Sequence, residues 1–391
     1  MPIHNRIAEY HDDLTATRRD IHANPELGFK EHRTSALVAE QLESWGIEVH
    51  RGLAGTGVVG VLRGRGSESR AIGIRADMDA LPMQEEGDVP HRSTVDGRMH
   101  ACGHDGHTTI LLGAARYLAE TRNFDGTVNF IFQPAEEGGG GGRVMVEDGL
   151  FEKFPCEAVW GLHNAPDLPA GTIAAAPGPI MAAADGCKIT IEARGSHAAM
   201  PHYSIDPIAI AVQLYTAMQT IVSRNVDPLK SAVVSVTTFH AGSAHNVIPE
   251  TAELSATIRT FDPEVRELIR KRISELCAGM EAMHGASVRA EYTYGYPPTV
   301  NHEAQTRIAL DIARDVAGEA MTRDDVPPVM GSEDFSYMLE ARPGAFLWLG
   351  SGRTDSDPGL HHPRYDFNDE VLTLGASYWA RLVESALPRA G

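Results

Sequence analysis

Three times in this 391-residue chain a short apolar run with the composition of a buried strand ends in side chains that bind metal ions or move protons. Arg70 to Ala76 runs into Asp77-Met78-Asp79, Gly126 to Gln133 into Pro134-Ala135-Glu136-Glu137, and Ala158 to Leu162 delivers His163-Asn164. Ligand-type residues at the carboxyl ends of strands in one open sheet converge on one crevice, where such folds place their sites. The pattern predicts an α/β domain with a single site at one sheet edge. Between the first two runs lies Met99 to Thr109, which packs His100, Cys102, His104, Asp105 and His107 closely together. Gly103 alone separates Cys102 from His104, so both reach one small volume, and thiolate with neutral imidazole suits borderline-soft divalent ions. Ile110, Leu111, Ala114, Ala115 and Leu118 follow at helical spacing, which puts the cluster at the entry to a buried helix whose free amides favour a thiolate. Each feature alone has a bland reading, the cysteine as core filler and the aspartates as turn caps. Their recurrence at successive strand ends argues against it.

The remaining elements fall around this frame. Arg6 to His22 and His32 to Trp45 read as amphipathic helices split by Asn24-Pro25-Glu26-Leu27-Gly28, and Gly46 to Arg51 and Gly57 to Arg63 as strands. Gly55-Thr56-Gly57-Val58-Val59-Gly60 matches a dinucleotide fingerprint as a string, but an apolar strand follows the glycines where a nucleotide loop needs a helix. Five glycines, Gly138 to Gly142, let backbone lie close to whatever Glu136 and Glu137 hold, and no Lys-Ser/Thr is present to make them a phosphate loop. From Asp185 the order becomes strand (185–193), helix (206–224), strand (231–240), strand (251–261), helix (263–283) and strand (287–294). That βαββαβ order is the ferredoxin-like, split-βαβ arrangement, flanked by Pro177-Gly178-Pro179 and Pro297-Pro298. It predicts an inserted α+β domain over 185–296 within a discontinuous catalytic domain of 1–184 and 297–391. Helices are expected at 301–316 and 369–386, a strand at 345–349, and Leu360-His361-His362-Pro363 ahead of the last helix.

Composition narrows the function. The formal charge is −19, with no block of Lys or Arg, which disfavours phosphate backbones and anionic membranes as partners. No nucleic-acid or membrane partner is expected. Met1 to Asn24 is charged and amphipathic without an apolar leader, and four scattered cysteines (Cys102, Cys156, Cys187, Cys277) suit a reducing cytoplasm.

Cys102, His104, Glu137, His163 and either His361 or His362 form a set of N, S and O donors larger than one tetrahedral ion uses, so two ions sharing a bridge are expected. Zn, Mn, Co and Ni all accept this mixture. Asp79 and Asp105 are expected to orient the ligands. Glu136, distinct from ligand Glu137, is the candidate proton carrier for hydrolysis. No Gly-x-Ser-x-Gly elbow is present, and Cys102 is better used as ligand than as nucleophile. A dinuclear phosphoesterase is a rival, though such sites favour carboxylates and histidines over thiolate. A metal-binding protein without turnover is another, but it would need no free carboxylate beside a completed ligand set.

Nearly the whole chain resembles the M20 metallopeptidases, most closely their aminoacylase and hippurate hydrolase branch with the plant auxin-conjugate amidohydrolases. The likeness rests on Arg75 to Pro82, Met99 to His107, Gln133 to Gly138, Gly195-Ser196-His197-Ala198, Asn246-Val247-Ile248-Pro249, and Leu360-His361 through Asn368-Asp369. It implies a zinc-peptidase-like catalytic domain with a mixed sheet flanked by helices, and an inserted lid that makes a homodimer or higher homo-oligomer. It implies two divalent ions on Cys102, His104, Glu137, His163 and His361, Glu136 as general base, and His197 and Asn246 reaching the active site. Asn246 and Arg259 would grip the carboxylate of an N-acyl amino acid such as hippurate, the amide bond being hydrolysed to a carboxylic acid and a free amino acid. A dipeptidase or carboxypeptidase specificity is the alternative. Two departures stand out: Asp77 replaces a ligand histidine of the wider family, and His362 stands where the branch has Asn or Ser.

Overall fold

The structure is a computed structural model that describes residues 2–66, 70–354 and 357–389. The chain divides into two compact units, one of Met1–Ile180, Val300–Pro327 and Asp334–Gly391, the other of Met181–Thr299 and Pro328–Glu333.

The first unit is α/β, built on an eight-stranded mixed sheet. Its strands run in the order Glu48–Leu53, Gly57–Arg63, Thr127–Gln133, Ala71–Asp77, Ala158–Pro169, Gly344–Gly352, Ile173–Ala174 and Thr322–Arg323. The three strands Thr127–Gln133, Ala71–Asp77 and Ala158–Pro169 are parallel neighbours, and Gly344–Gly352 adds to them in parallel. Val58, Ile72, Ile74, Phe130, Phe132, Trp160 and Leu347 are buried with the flanking helices in one core, as expected of central strands covered on both faces. The string Gly55 to Gly60 enters the strand Gly57–Arg63, which removes the nucleotide-loop reading.

Three differences from the sequence expectation have physical causes. The first helix is two, Pro2–Ala8 and His11–Ala23, broken at Tyr10, whose ring lies 4.0 Å from the Arg116 guanidinium and whose hydroxyl donates to Glu120 (2.7 Å). The strand that carries His163 continues to Pro169 rather than ending at Leu162. Short strands at 173–174 and 322–323 lack the length to show periodicity.

The helix His104–Thr121 is buried almost all round, and Leu372–Ala386 packs against it. A Cβ on Gly375 would stand 2.8 Å from Cδ1 of Ile110, so the absence of a side chain sets how closely the two helices approach. In the second unit, four antiparallel strands run in the order Ala232–Ala241, Thr251–Thr260, Ala183–Glu192 and Ser287–Thr293. Helices Pro207–Asn225 and Pro263–His284 contribute to that unit's separate core. Both helices start alike: Asp206 and Asp262 accept two backbone amides each, and proline takes the first helical position. Among the described residues no helix is long and apolar enough to cross a membrane.

Gly375→Val should force Ile110 out of place and destabilise the first unit by about 1–3 kcal/mol, read as a lowered denaturant midpoint at unchanged slope. An unchanged midpoint would show that the helices have room to spare.

Candidate metal centre

The site grows out of the parallel strands. Asp77 ends one strand, paired with Gln133 at the end of its neighbour, and the register between 71–77 and 158–169 stops at Arg75 and Gly161. His163 therefore lies two residues beyond the last of these pairs, level with Asp77, while on its other side it pairs with Trp348. Gly103 precedes the buried helix with φ +91°, and a Cβ there would lie 2.3 Å from Asn164 Oδ1, so only glycine fits between Cys102 and His104.

These elements bring five predicted donors together. Cys102, His104 and His163 form one group whose donor atoms lie within 4.8 Å of one another, Cys102, Glu137 and His361 a second, and His104, Glu136 and Glu137 a third. Cys102 Sγ is 3.3 Å from His163 Nε2. His361 Nε2 is 3.2 Å from Glu137 Oε1. Of the two adjacent histidines, His361 falls in a candidate donor group. His361 has φ +61° and its N–H donates to the Ala101 carbonyl at 2.8 Å, whereas His362 Nδ1 accepts from the Arg364 amide.

Two of the three imidazoles are oriented by their far nitrogen, the usual arrangement for a metal-ligating histidine. His104 Nδ1–H donates to the Asp79 carbonyl (2.9 Å) and His163 Nδ1–H to the Asn164 carbonyl (2.8 Å), leaving both Nε2 lone pairs for the cluster. His104 Nε2 is buried without a hydrogen-bond partner, and Glu137 Oε1, paired with His361 Nε2, lacks one of hydrogen-bond geometry. Such orphans are costly in a folded interior unless something fills their coordination. Burial pushes the Cys102 thiol up, so a thiolate here needs a cation beside it. The S, N and O donors and the orphaned atoms fit a divalent metal ion.

Asp79 clamps the glutamates: Oδ1 accepts the Glu136 amide and Oδ2 the Glu137 amide, both at 2.9 Å. Asp105 does not share this work. Its Oδ2 lies 2.8 Å from His22 Nδ1 and 3.6 Å from Arg18, and burial among Arg18, His22 and Glu85 engages it in a separate charged cluster. Asp77 falls in a further candidate group with His104 and His107, and it already has partners. Arg75 pairs with it at 2.8 Å and His107 Nδ1–H donates to it at 2.6 Å, while His107 Nε2 accepts the Asn164 amide. Sequence reasoning did not anticipate this Arg75–Asp77–His107–Asn164 chain; the charged Arg75 inside an apolar strand was its one visible sign.

In the second unit, Ser196–His197 pairs with Val247–Ile248, which sets His197 beside Asn246: the Ala198 amide donates to the Asn246 carbonyl at 3.0 Å. His197 is exposed and its Nδ1 accepts the Ala199 amide (3.0 Å), so the neutral ring carries its proton on Nε2. Arg259 lies in the sheet between Val233 and Ala184. Its obvious carboxylate partners are taken, Glu253 by Lys188 and Asp262 by Lys230.

His22 generates a pH prediction. Burial lowers its pKa, but hydrogen bonds to Asp105 and Glu85 outweigh that and lift it to about 9. A group raised on folding stabilises fully below its unfolded pKa, and the contribution disappears as pH rises through the folded value. The stability gap between wild type and His22→Gln should therefore shrink by about 3 kcal/mol from pH 6 to pH 10. Urea unfolding at both pH values checks this, and a gap independent of pH would refute it.

Comparison with known proteins agrees with this geometry. The model of peptidase family M20/M25/M40 matches residues 73–385. Hippurate hydrolase of Campylobacter jejuni is 43% identical over 376 residues, 96% of this chain and 97% of that protein. N-acetyl-L-cysteine deacetylase of Bacillus subtilis is 42% identical, covering 95% of this chain and 87% of that protein. A crystal structure of a dinuclear metal-binding M20 peptidase from Bacillus subtilis superposes with a TM-score of 0.84 at 36% identity, covering 97% and 99% of the two chains. The chain belongs to the peptidase family M20/M25/M40 and is, with it, a metal-binding hydrolase of amide bonds.

Proposed function

We propose that the protein hydrolyses N-acyl amino acids, hippurate-like substrates among them, to a carboxylic acid and a free amino acid. The observation that carries the reading is Glu136, a buried carboxylate grouped with His104 and Glu137 while Cys102, His163 and His361 complete the donor set. A site that only stored metal would have no use for it. The names of the two relatives, a hippurate hydrolase and an N-acetyl-L-cysteine deacetylase, support an N-acyl amino acid as substrate.

Cys102, His104, Glu137, His163 and His361 would hold two divalent ions of the Zn, Mn, Co or Ni type. When bound, they supply Lewis acidity to the scissile carbonyl and acidify water at the site. Glu136 takes the proton of the attacking water and delivers it to the leaving amine. His197, whose Nε2 carries the proton, donates to the developing oxyanion. Asn246 and Arg259 bind the free carboxylate, for which a guanidinium offers two parallel hydrogen bonds.

We also assign a homodimer, formed by the second unit. Ile208, Val212 and Tyr215 lie exposed at helical spacing on Pro207–Asn225, and Phe239 is exposed on the edge strand Ala232–Ala241. The four free, buried cysteines support placing the protein in the cytoplasm.

Glu136→Gln should lower kcat on hippurate by roughly 10²-fold or more at unchanged metal content. Wild-type turnover in that variant would remove Glu136 from the mechanism. The carboxylate grip is tested by comparing kcat/KM for hippurate and its carboxamide. The amide should lose roughly 2–5 kcal/mol of transition-state binding, and Arg259→Met should erase most of the preference. Equal rates on the two substrates would make the protein a general amidase.

A further inference from the structure

The turn that presents Glu136 is held from a direction the mechanism does not use. Ala135 is fully buried with φ +53°, in the left-handed region that favours glycine. Its methyl is tightly enclosed: a Cβ on Gly28 would lie 3.0 Å from it and one on Gly139 2.7 Å. The Ala135 amide donates to Glu31 Oε1 at 2.8 Å, and the same oxygen accepts the Phe29 amide at 3.1 Å. The Thr56 hydroxyl donates to Glu31 Oε2 at 2.6 Å, and both Glu31 and Thr56 are buried. The next two amides, of Glu136 and Glu137, go to Asp79. Three successive amides are thus captured by two buried carboxylates. Burial and the charge of Asp79 both push the Glu31 carboxyl up, against the hydrogen bonds it accepts. Burying a carboxylate is expensive, and the three hydrogen bonds that Glu31 accepts offset that cost here.

We propose that Glu31, locked by Thr56, is a positioning residue for Glu136: it holds Ala135 in its left-handed conformation and so fixes the peptide from which the proton-carrying carboxylate projects. The proposal rests on the reading of Glu136 as the proton carrier. Glu31 is in none of the candidate donor groups; it acts through the backbone of the turn. General-base chemistry is sensitive to misplacement of this kind, since an offset near 1 Å at a catalytic group costs about 10²-fold.

The experiment is a set of kinetic comparisons on the full-length, metal-loaded protein with hippurate. Glu31→Met removes both acceptors at similar length, whereas Glu31→Gln keeps an oxygen for the two amides and offers its NH2 to Thr56 Oγ. Glu31→Met should lower kcat roughly 10- to 100-fold with KM within about threefold, and Glu31→Gln should return kcat to within about threefold of wild type. Added to Glu136→Gln, Glu31→Met should cost less than about twofold more, because the group it positions is already disabled. An equal loss in the wild-type and Glu136→Gln backgrounds would make Glu31 a structural residue and overturn the proposal. Glu136→Gln with wild-type turnover would instead overturn the assignment of Glu136, and the positioning role of Glu31 with it. Should Glu31→Met fail to fold, Thr56→Val decides. A fall in kcat at constant KM and metal content supports the proposal, and wild-type constants overturn it.

Discussion

Much of the site depends on the side chain and carbonyl of Asp79. Its two carboxylate oxygens receive the amides of Glu136 and Glu137, and its backbone carbonyl receives Nδ1–H of His104. One residue thereby ties the end of the strand Ala71–Asp77 to the turn after Thr127–Gln133 and to the first turn of the helix His104–Thr121. Charge-assisted hydrogen bonds of this sort are among the stronger polar interactions in an interior. They also fix which imidazole nitrogen is left for the donor cluster, so the chemistry of the centre is set by contacts outside it.

Around that clamp, the chain sustains an unusual density of buried charge. Arg75 neutralises Asp77 and Asp334, and the Arg18, His22, Glu85 and Asp105 cluster lies behind the start of the same helix. Paired and hydrogen-bonded in this way, buried ions add little net stability but hold geometry, and removing one partner leaves the other costly. Asp77 is engaged by a guanidinium and by His107, and Cys102 at the neighbouring helix entry falls in two of the candidate donor groups.

Much of this was legible in the sequence. Strand-end ligands announce themselves because apolar runs of strand length stop at residues that have no business in a core, and the βαββαβ order of the second unit follows from turn residues and the two Asp-Pro helix starts. What was hidden depends on tertiary contact. The continuation of the His163 strand through Pro166-Asp167-Leu168-Pro169 is masked by prolines, which read as a strand end. Tyr10 breaks a helix whose periodicity runs straight through it. Asp105 sits between ligand and proton-carrier motifs in sequence, yet its partners are His22 and Arg18, some 80 residues away along the chain. Glu31 belongs to a polar stretch, Lys30-Glu31-His32-Arg33, that resembles a solvated turn, and only its burial reveals its contacts with Thr56 and Ala135.

The central claim is that Cys102, His104, Glu137, His163 and His361 act as one centre for two ions. Metal content after equilibrium dialysis, measured by mass spectrometry on wild type and on Cys102→Ala, tests it most directly. The account predicts two divalent ions per subunit in the wild type, with at least one lost in the variant. A single tightly held ion with full activity at that stoichiometry, unaffected by loss of the thiol, would contradict it.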